Sequence, residues 1–204
     1  MLELGRELRR QLQAGHRCRA AMTRDSDVFV PLAGRVAFSR RHHAALLVSL
    51  HANASDNHHA HGACVYRFAY RASDAQARAL ARWENSADRF AGPAFRHASP
   101  ALAHILASLM RRETWLHSAW QQESTVRSMR HRVALTPVPA RHARFVVLSA
   151  PDIPGVLIET GFLTNRAGEK LLRSKAHRLH LAGAIRQAIE HYLARVAQPA
   201  RGLR

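Results

Sequence analysis

The sequence predicts an α/β fold: a single domain in which helices cover both faces of a largely parallel, mixed sheet. Three observations lead there. Short apolar runs of strand length, at residues 45–50, 62–68 and 156–159, alternate with longer stretches whose apolar residues recur at helical spacing, as at 2–12, 74–90 and 175–196. The chain has 204 residues, 47% of them hydrophobic, which suffices for one sizeable core and is too little for two. No internal repeat or low-complexity segment interrupts the alternation.

Taken in order, Leu2, Leu4, Leu8 and Leu12 form a helical stripe that Gly15 stops. Cys18 to Met22 follows as a short apolar run, read as a strand, and leads into the loop Thr23-Arg24-Asp25. Pro31 suits the opening of a second helix, to about His42, with Leu32, Val36 and Phe38 facing inward. Ala45-Leu46-Leu47-Val48-Ser49-Leu50 lacks alternation and reads as a strand covered on both faces. His51-Ala52-Asn53-Ala54 then stands at its C-terminal end, where open α/β sheets bind ligands.

Residues 62–68 make a further strand, and a helix runs from about Asp74 to Phe90, with Leu80 and Trp83 inward and a break at Gly92-Pro93. Pro100 to Ser128 reads as two helices with a boundary near Arg111 to Glu113, after which Pro137 and Pro139 mark a loop. Phe145-Val146-Val147-Leu148 and Val156-Leu157-Ile158-Glu159 read as a pair of short buried strands separated by prolines. The last helix, Lys175 to Val196, carries Leu179, Ile185, Ile189 and Leu193 on one stripe; the domain closes near residue 197, and 198–204 reads as a flexible tail.

Composition narrows the function. The net charge is +17, and all but two of the 31 basic residues, Lys170 and Lys175, are arginines. Such a surface attracts any polyanion without specifying which. The arginines are scattered through every element instead of being interleaved with aromatics on one face, which argues against a nucleic-acid partner. No apolar run approaches the roughly 18 residues of a membrane-spanning helix. The N-terminus reads as an amphipathic helix, so the sequence as given carries no export signal. Cys18 and Cys64 lie in apolar runs and are expected as buried thiols, not as a disulfide.

Two strand ends carry chemistry. Ser49-Leu50-His51-Ala52-Asn53-Ala54 delivers an imidazole, and Leu157-Ile158-Glu159-Thr160-Gly161-Phe162 a carboxylate. Each is ambiguous alone. Together they suggest a metal and a base, because neutral imidazole is the commonest metal ligand and a carboxylate beside a metal-activated water can carry its proton. His58, His59 and His61 follow in a polar loop and read as solvated side chains.

These segments resemble the type 3 N-acetylmuramoyl-L-alanine amidases, zinc hydrolases of peptidoglycan. Ser49 to Ala54 matches the segment that holds the family's second zinc histidine, at His51; Glu84-Asn85 and Asp88 resemble the end of its long helix; Ala150-Pro151-Asp152-Ile153-Pro154-Gly155 through Asn165 matches its most distinctive stretch, with the catalytic glutamate at Glu159. The match covers about residues 1–196 in family order. It implies zinc as cofactor, peptidoglycan as partner and the cell envelope or periplasm as location. It also implies a site in which Asn53, Thr160 and Gly161, adjoining the two motifs, orient substrate. Some members carry a helix between the motifs that covers the site until an activator moves it, which makes Pro100 to Ser128 the candidate regulatory segment.

The family's domain opens with a strand leading into Asp-Pro-Gly-His-Gly-Gly, which supplies a first zinc histidine, and then a glutamate ligand. Neither segment occurs in this sequence, and Glu3 and Glu7 lie inside the first helix. The expectation is therefore a catalytic domain truncated at its N-terminus and lacking the first strand, with His51 alone of the family's ligands. Because a catalytic zinc normally has three protein ligands, this chain is expected to hold no stoichiometric zinc. The alternatives are a non-catalytic, polyanion-binding protein and a decayed amidase fragment.

Overall fold

A computed structural model describes residues 1–90 and 106–197, with side chains at 1–88 and 112–197. The elements run α1 (Leu2–Ala14), α2 (Leu32–Arg41), β1 (Leu47–Asn53), β2 (Ala63–Phe68), α3 (Ala75–Asn85), a 3-10 turn (Ser86–Phe90), α4 (Leu106–Met129), β3 (Leu135–Ala143), a second 3-10 turn (Val146–Leu148), β4 (Gly155–Phe162), α5 (Arg166–Arg173) and α6 (Lys175–Val196). The strands form one sheet in the order β1-β4-β2-β3. β1 pairs with β4 and β2 with β3 in parallel, while β2 and β4 are antiparallel. This is the mixed, largely parallel α/β sheet that the sequence predicts.

Side-chain alternation sorts the helices onto two faces. Val65, Val156 and Ile158 point to the layer of α1, α4 and α6, where they join Leu4, Leu8, Met129, Leu181 and Ile185. Cys64, Tyr66 and Leu157 point the other way, to α2 and α3, joining Leu32, Ala77, Leu80 and Phe145. β4 is buried along its whole length, so it is the strand covered on both faces. β1, expected in that role, is a half-buried edge strand. Both cysteines are free thiols; Cys64 is buried as expected, whereas Cys18 is only half-buried.

Several elements depart from the sequence reading. Cys18 to Met22 belongs to no strand; its backbone meets no ladder partner, and a groove of about 910 Å³, lined by Cys18, Ala20, Met22, Leu46, Val48 and Leu50 among others, lies beside β1. Leu135–Ala143 is a strand in spite of Pro137 and Pro139, because β3 is at the sheet edge, where a missing amide donor costs little. Its register with β2 slips between Ala63 and Val65, and the Gln122 amide of α4 bridges the Val65 and Arg141 carbonyls at 2.7 and 2.6 Å. The run at 145–148 forms a 3-10 turn instead of a strand. Here the Asn85 side chain donates to the Arg144 carbonyl and accepts from the Val146 amide, doing the work of a neighbouring strand. Trp83 is 63% exposed, so the inner face of α3 is Ala77, Leu80 and Ala81.

The helical segment after Pro100 is one helix from Leu106 with no boundary near Arg111 to Glu113. Thr114, Ser118, Gln121, Thr125, Val126 and Met129 are buried, and Gly155 of β4 donates its amide to Ser118 Oγ. Residues 112–129 are thus core structure on the α6 face. Residues 100–105 and the expected tail at 198–204 lie outside the described residues, as does the Gly92-Pro93 break.

The difference between central and edge strand is measurable. Ile158→Ala in β4 is expected to cost about 2–5 kcal/mol in urea unfolding, as buried truncations do, whereas Leu50→Ala in β1 costs clearly less. Equal losses would contradict the edge position of β1.

Candidate functional site

Register brings the two sequence motifs together. In the β1–β4 ladder Ser49 stands opposite Leu157, and His51 opposite Glu159. Leu157 faces the α2/α3 layer, so Glu159, two residues on, faces it too, and the same alternation carries Ser49 and His51 to that side. On the far flank of β4, Cys64 of β2 is paired with Glu159. The imidazole and the carboxylate therefore lie side by side in the C-terminal halves of two parallel strands.

Glu159 is fully buried, and neither carboxylate oxygen has a hydrogen-bond partner. Burial, and then the negative charge of Glu84, push its carboxyl well above the ordinary value. The His51 ring is held at both nitrogens: Nε2 lies 2.8 Å from Ser49 Oγ, and Nδ1 lies 2.9 Å from Glu84 Oε2. Donor atoms of His51, Glu84 and Glu159 all fall within 4.8 Å of one another, the one such His/Cys/Asp/Glu group among the described residues.

Glu84 is the member of this cluster to which the sequence reading gave no role. It occupies the last turn of α3, whose end is fixed by the next residue, Asn85, on the backbone at 144–146, and by Asp88, whose Oδ1 accepts from the Leu32 amide at 2.8 Å. The sequence held one signal: Glu84, Asn85 and Asp88 form a single polar patch at a helix end. Two of those residues position the third.

The other expected site residues make contacts of their own at the strand ends. The Thr160 hydroxyl donates to the His51 carbonyl at 2.8 Å and so locks β1 to β4 at the level of the site. Asn53 is buried, its Oδ1 accepts from the Ala54 amide, and its carbonyl accepts from Leu163. Gly161 packs beside Leu172, whose side chain lies 3.6 Å from where a Cβ would stand. With these contacts the three residues help to hold the strand ends beside the cluster. His58, whose ring lies 2.9 Å from the Thr164 carbonyl, and His61, whose ring lies 2.8 Å from the His59 carbonyl, are exposed loop residues outside the cluster.

With this geometry in place, comparison with known proteins decides the family. A family model described as N-acetylmuramoyl-L-alanine amidase matches residues 1–191. The chain belongs to that amidase family. AmiA of Escherichia coli (strain K12), an N-acetylmuramoyl-L-alanine amidase, is 34% identical over 184 residues, which are 90% of this chain and 64% of AmiA. The chain thus spans somewhat less than two thirds of that relative. Among solved structures, the amidase AmiC2 of Nostoc punctiforme superposes with a TM-score of 0.64 at 25% identity, covering 95% of this chain and 82% of AmiC2. The CwlD amidase of Clostridioides difficile, solved in complex with the GerS lipoprotein, shares the fold with a TM-score of 0.63 at 19% identity, covering 95% of this chain and 85% of CwlD.

Amidases of this family are zinc-dependent, and the residues here fit such an ion. One imidazole and two carboxylates are a donor set that zinc accepts, and the orphaned oxygens of Glu159 call for a positive partner. The raised carboxyl gives a test without metal. A group that binds its proton more tightly in the folded than in the unfolded state loses stability for the fold as pH rises above its ordinary value, 4.5 for this carboxyl. With chelator present, the melting temperature should therefore fall as pH is raised from about 5 to 8, and Glu159→Gln should remove much of that fall. Parallel pH profiles for the two proteins would show that Glu159 is not the strained acid.

Proposed function

We propose that this chain is the catalytic domain of a zinc-dependent peptidoglycan hydrolase that cleaves the amide between the lactyl group of N-acetylmuramic acid and L-alanine of the stem peptide. The observation that carries the reading is the pairing of the His51 imidazole with the unpartnered Glu159 carboxylate at one level of two parallel strands, in a chain of the amidase family. When bound, zinc polarises a carbonyl and brings the pKa of a water toward neutrality. His51 supplies the nitrogen ligand. Glu159 takes the proton from the attacking water, and as the carbon–nitrogen bond breaks it passes that proton to the departing amine of L-alanine. Burial suits this task in its direction, since it raises the proton affinity of the carboxyl. Ser49 orients the imidazole, Thr160 fixes the two strands that carry base and ligand, and Asn53 and Gly161 shape the strand ends that border the substrate.

The non-catalytic alternative is not favoured. Among the described residues, arginine ion pairs are spread over α1, α4, α5 and α6. The reading places the protein at the cell envelope or periplasm, where the polymer is. It includes an activating partner, for which CwlD with GerS is the analogy. Residues 112–129, being core, are not the part such a partner would move.

The test is hydrolysis of purified peptidoglycan by zinc-treated protein, followed by mass analysis of released stem peptides. Glu159→Gln is expected to reduce the rate by about 100- to 10,000-fold, the usual worth of general acid/base catalysis. Hydrolysis at the unmutated rate would remove Glu159 from the role. The +17 surface should add adhesion to anionic wall polymer that falls steeply as salt rises through about 0.1 M, where screening acts beyond roughly 10 Å. Adhesion indifferent to salt would point to a shaped groove instead.

A further inference from the structure

We infer that the groove beside β1 is a strand-addition site: an extended, acidic polypeptide segment, supplied by a second molecule, lies along the free edge of β1 and joins the sheet. The two edges of the sheet are built differently. β3 carries Pro137, Pro139 and Arg141, residues that keep an edge from recruiting another strand. β1 carries neither proline nor charge from Leu47 to Leu50, and its ladder with β4 is regular there. Its composition is that of an interior strand, yet among the described residues β4 is its only neighbour. Leu47 donates its amide to the Pro154 carbonyl, so by alternation the amides and carbonyls of Val48 and Leu50 point away from β4, into the groove that both residues line.

The opposite wall makes the same demand. Cys18 to Met22 is a second run of strand composition without a ladder partner. It converges with β1 over α1, where a Cβ at Gly5 would stand 3.1 Å from Met22 Cε and 4.0 Å from Leu50 Cδ1. Leu8, Leu12, Ile189 and Leu193 of α1 and α6 give the groove, of about 910 Å³, an apolar lining. One extended segment serves both walls, pairing with β1 along one edge and with residues 18–22 along the other, whereas a helix keeps its backbone groups to itself. β1 has seven residues, so about as many residues of the occupant lie along it. The rim sets the occupant's charge. Arg9, Arg19, Arg24, Arg35 and Arg41 line the groove, and among the described residues no carboxylate does. Arg9 and Arg24 are paired with Asp25 and Asp27, while Arg19, Arg35 and Arg41 form no ion pair among the described residues. A strand alternating apolar and acidic residues meets floor, edge and rim together; a fatty anion would meet floor and rim and leave the β1 edge unpaired.

The experiment uses the full chain and a fluorescein-labelled peptide of about nine residues in which valine alternates with aspartate or glutamate. Anisotropy titration should show one peptide per chain. At about ten times its Kd the peptide should slow alkylation of Cys18, which lines the groove, by about tenfold, read by mass analysis of the digested protein. Because a surface of net charge +17 attracts any anion, the deciding control carries the same acidic residues with proline in place of valine; it should bind at least about tenfold weaker. N-methylation of the peptide's amides, on one alternate set or the other, should weaken binding by about tenfold or more in at least one set, as loss of edge hydrogen bonds does. Val48→Pro, which removes an amide facing the groove and leaves the β4 ladder, should weaken binding likewise. Circular dichroism establishes that this variant is folded, and where it is not, the N-methylated peptides on the parent chain carry the test. Equal binding of the proline control, or of both N-methylated peptides, overturns the inference in favour of surface charge alone. Equal binding of a peptide with lysine in place of the acids overturns the acidic occupant, and laurate that protects Cys18 as well as the peptide does would make the groove a site for anionic amphiphiles. Absence of peptide binding overturns the inference outright. None of these readouts involves peptidoglycan, so the amidase reading stands or falls separately.

Discussion

The parallel pairing of β1 with β4 is the constraint on which the rest depends. A shift of one residue in that ladder would send His51 to the opposite face from Glu159, since successive side chains alternate. Several features hold the register. β4 is buried on both faces, so its two sets of side chains are committed to two different core clusters. The Thr160 hydroxyl ties the His51 carbonyl directly, and Leu163 ties the Asn53 carbonyl one step further on. The ladder keeps one register from Leu47 to His51 and shifts only past the site, between His51 and Asn53.

That rigidity explains how an acid can be buried without a partner. An ionised carboxylate in an apolar surround normally relaxes by protonation, by water entry or by movement. Glu159 cannot move without dislodging Ile158 and Thr160, which are packed and bonded on either side of it. Burial, with the negative charge of Glu84 beside it, therefore acts on Glu159 by raising its proton affinity. That direction suits the base proposed for Glu159.

The strand ends bearing His51 and Glu159 were legible in the sequence because each follows an apolar run directly, and such runs in α/β proteins end where ligands bind. The helices 2–14 and 175–196 were legible from periodicity alone. Elements fixed by tertiary context were not. β3 carries two prolines that local rules read as a loop, and only its edge position admits them. Phe145 to Leu148 has the composition of a strand, but the Asn85 side chain, far away in sequence, satisfies the backbone that a strand neighbour would have served. Trp83, expected on the inner side of α3, is outside, and the buried residues of that helix are Ala77, Leu80 and Ala81. Glu84 was hidden for the same reason. Helical spacing says which residues share a face, but not which strand end that face overlooks.

The electrostatics of the whole chain sharpen the question the cluster poses. A protein of net charge +17 is a poor place to concentrate dications, because its mean field repels them. Exposed charges more than about 10 Å away are screened at ordinary ionic strength, however, so the field at the site is set by its immediate neighbours. There the local sign is reversed: Glu84 and Glu159 stand within reach of one another, with His51 between two polar contacts that orient it. Burial amplifies this local field and leaves the distant arginines in water, where their pairs with Glu3, Glu123 and Glu169 are exposed and contribute little. One chain can thus present a basic surface to an anionic polymer and an acidic, cation-seeking centre beneath it. The division follows from dielectric environment: surface charges act in water, while the buried Glu159 and the half-buried Glu84 act on what lies directly beside them.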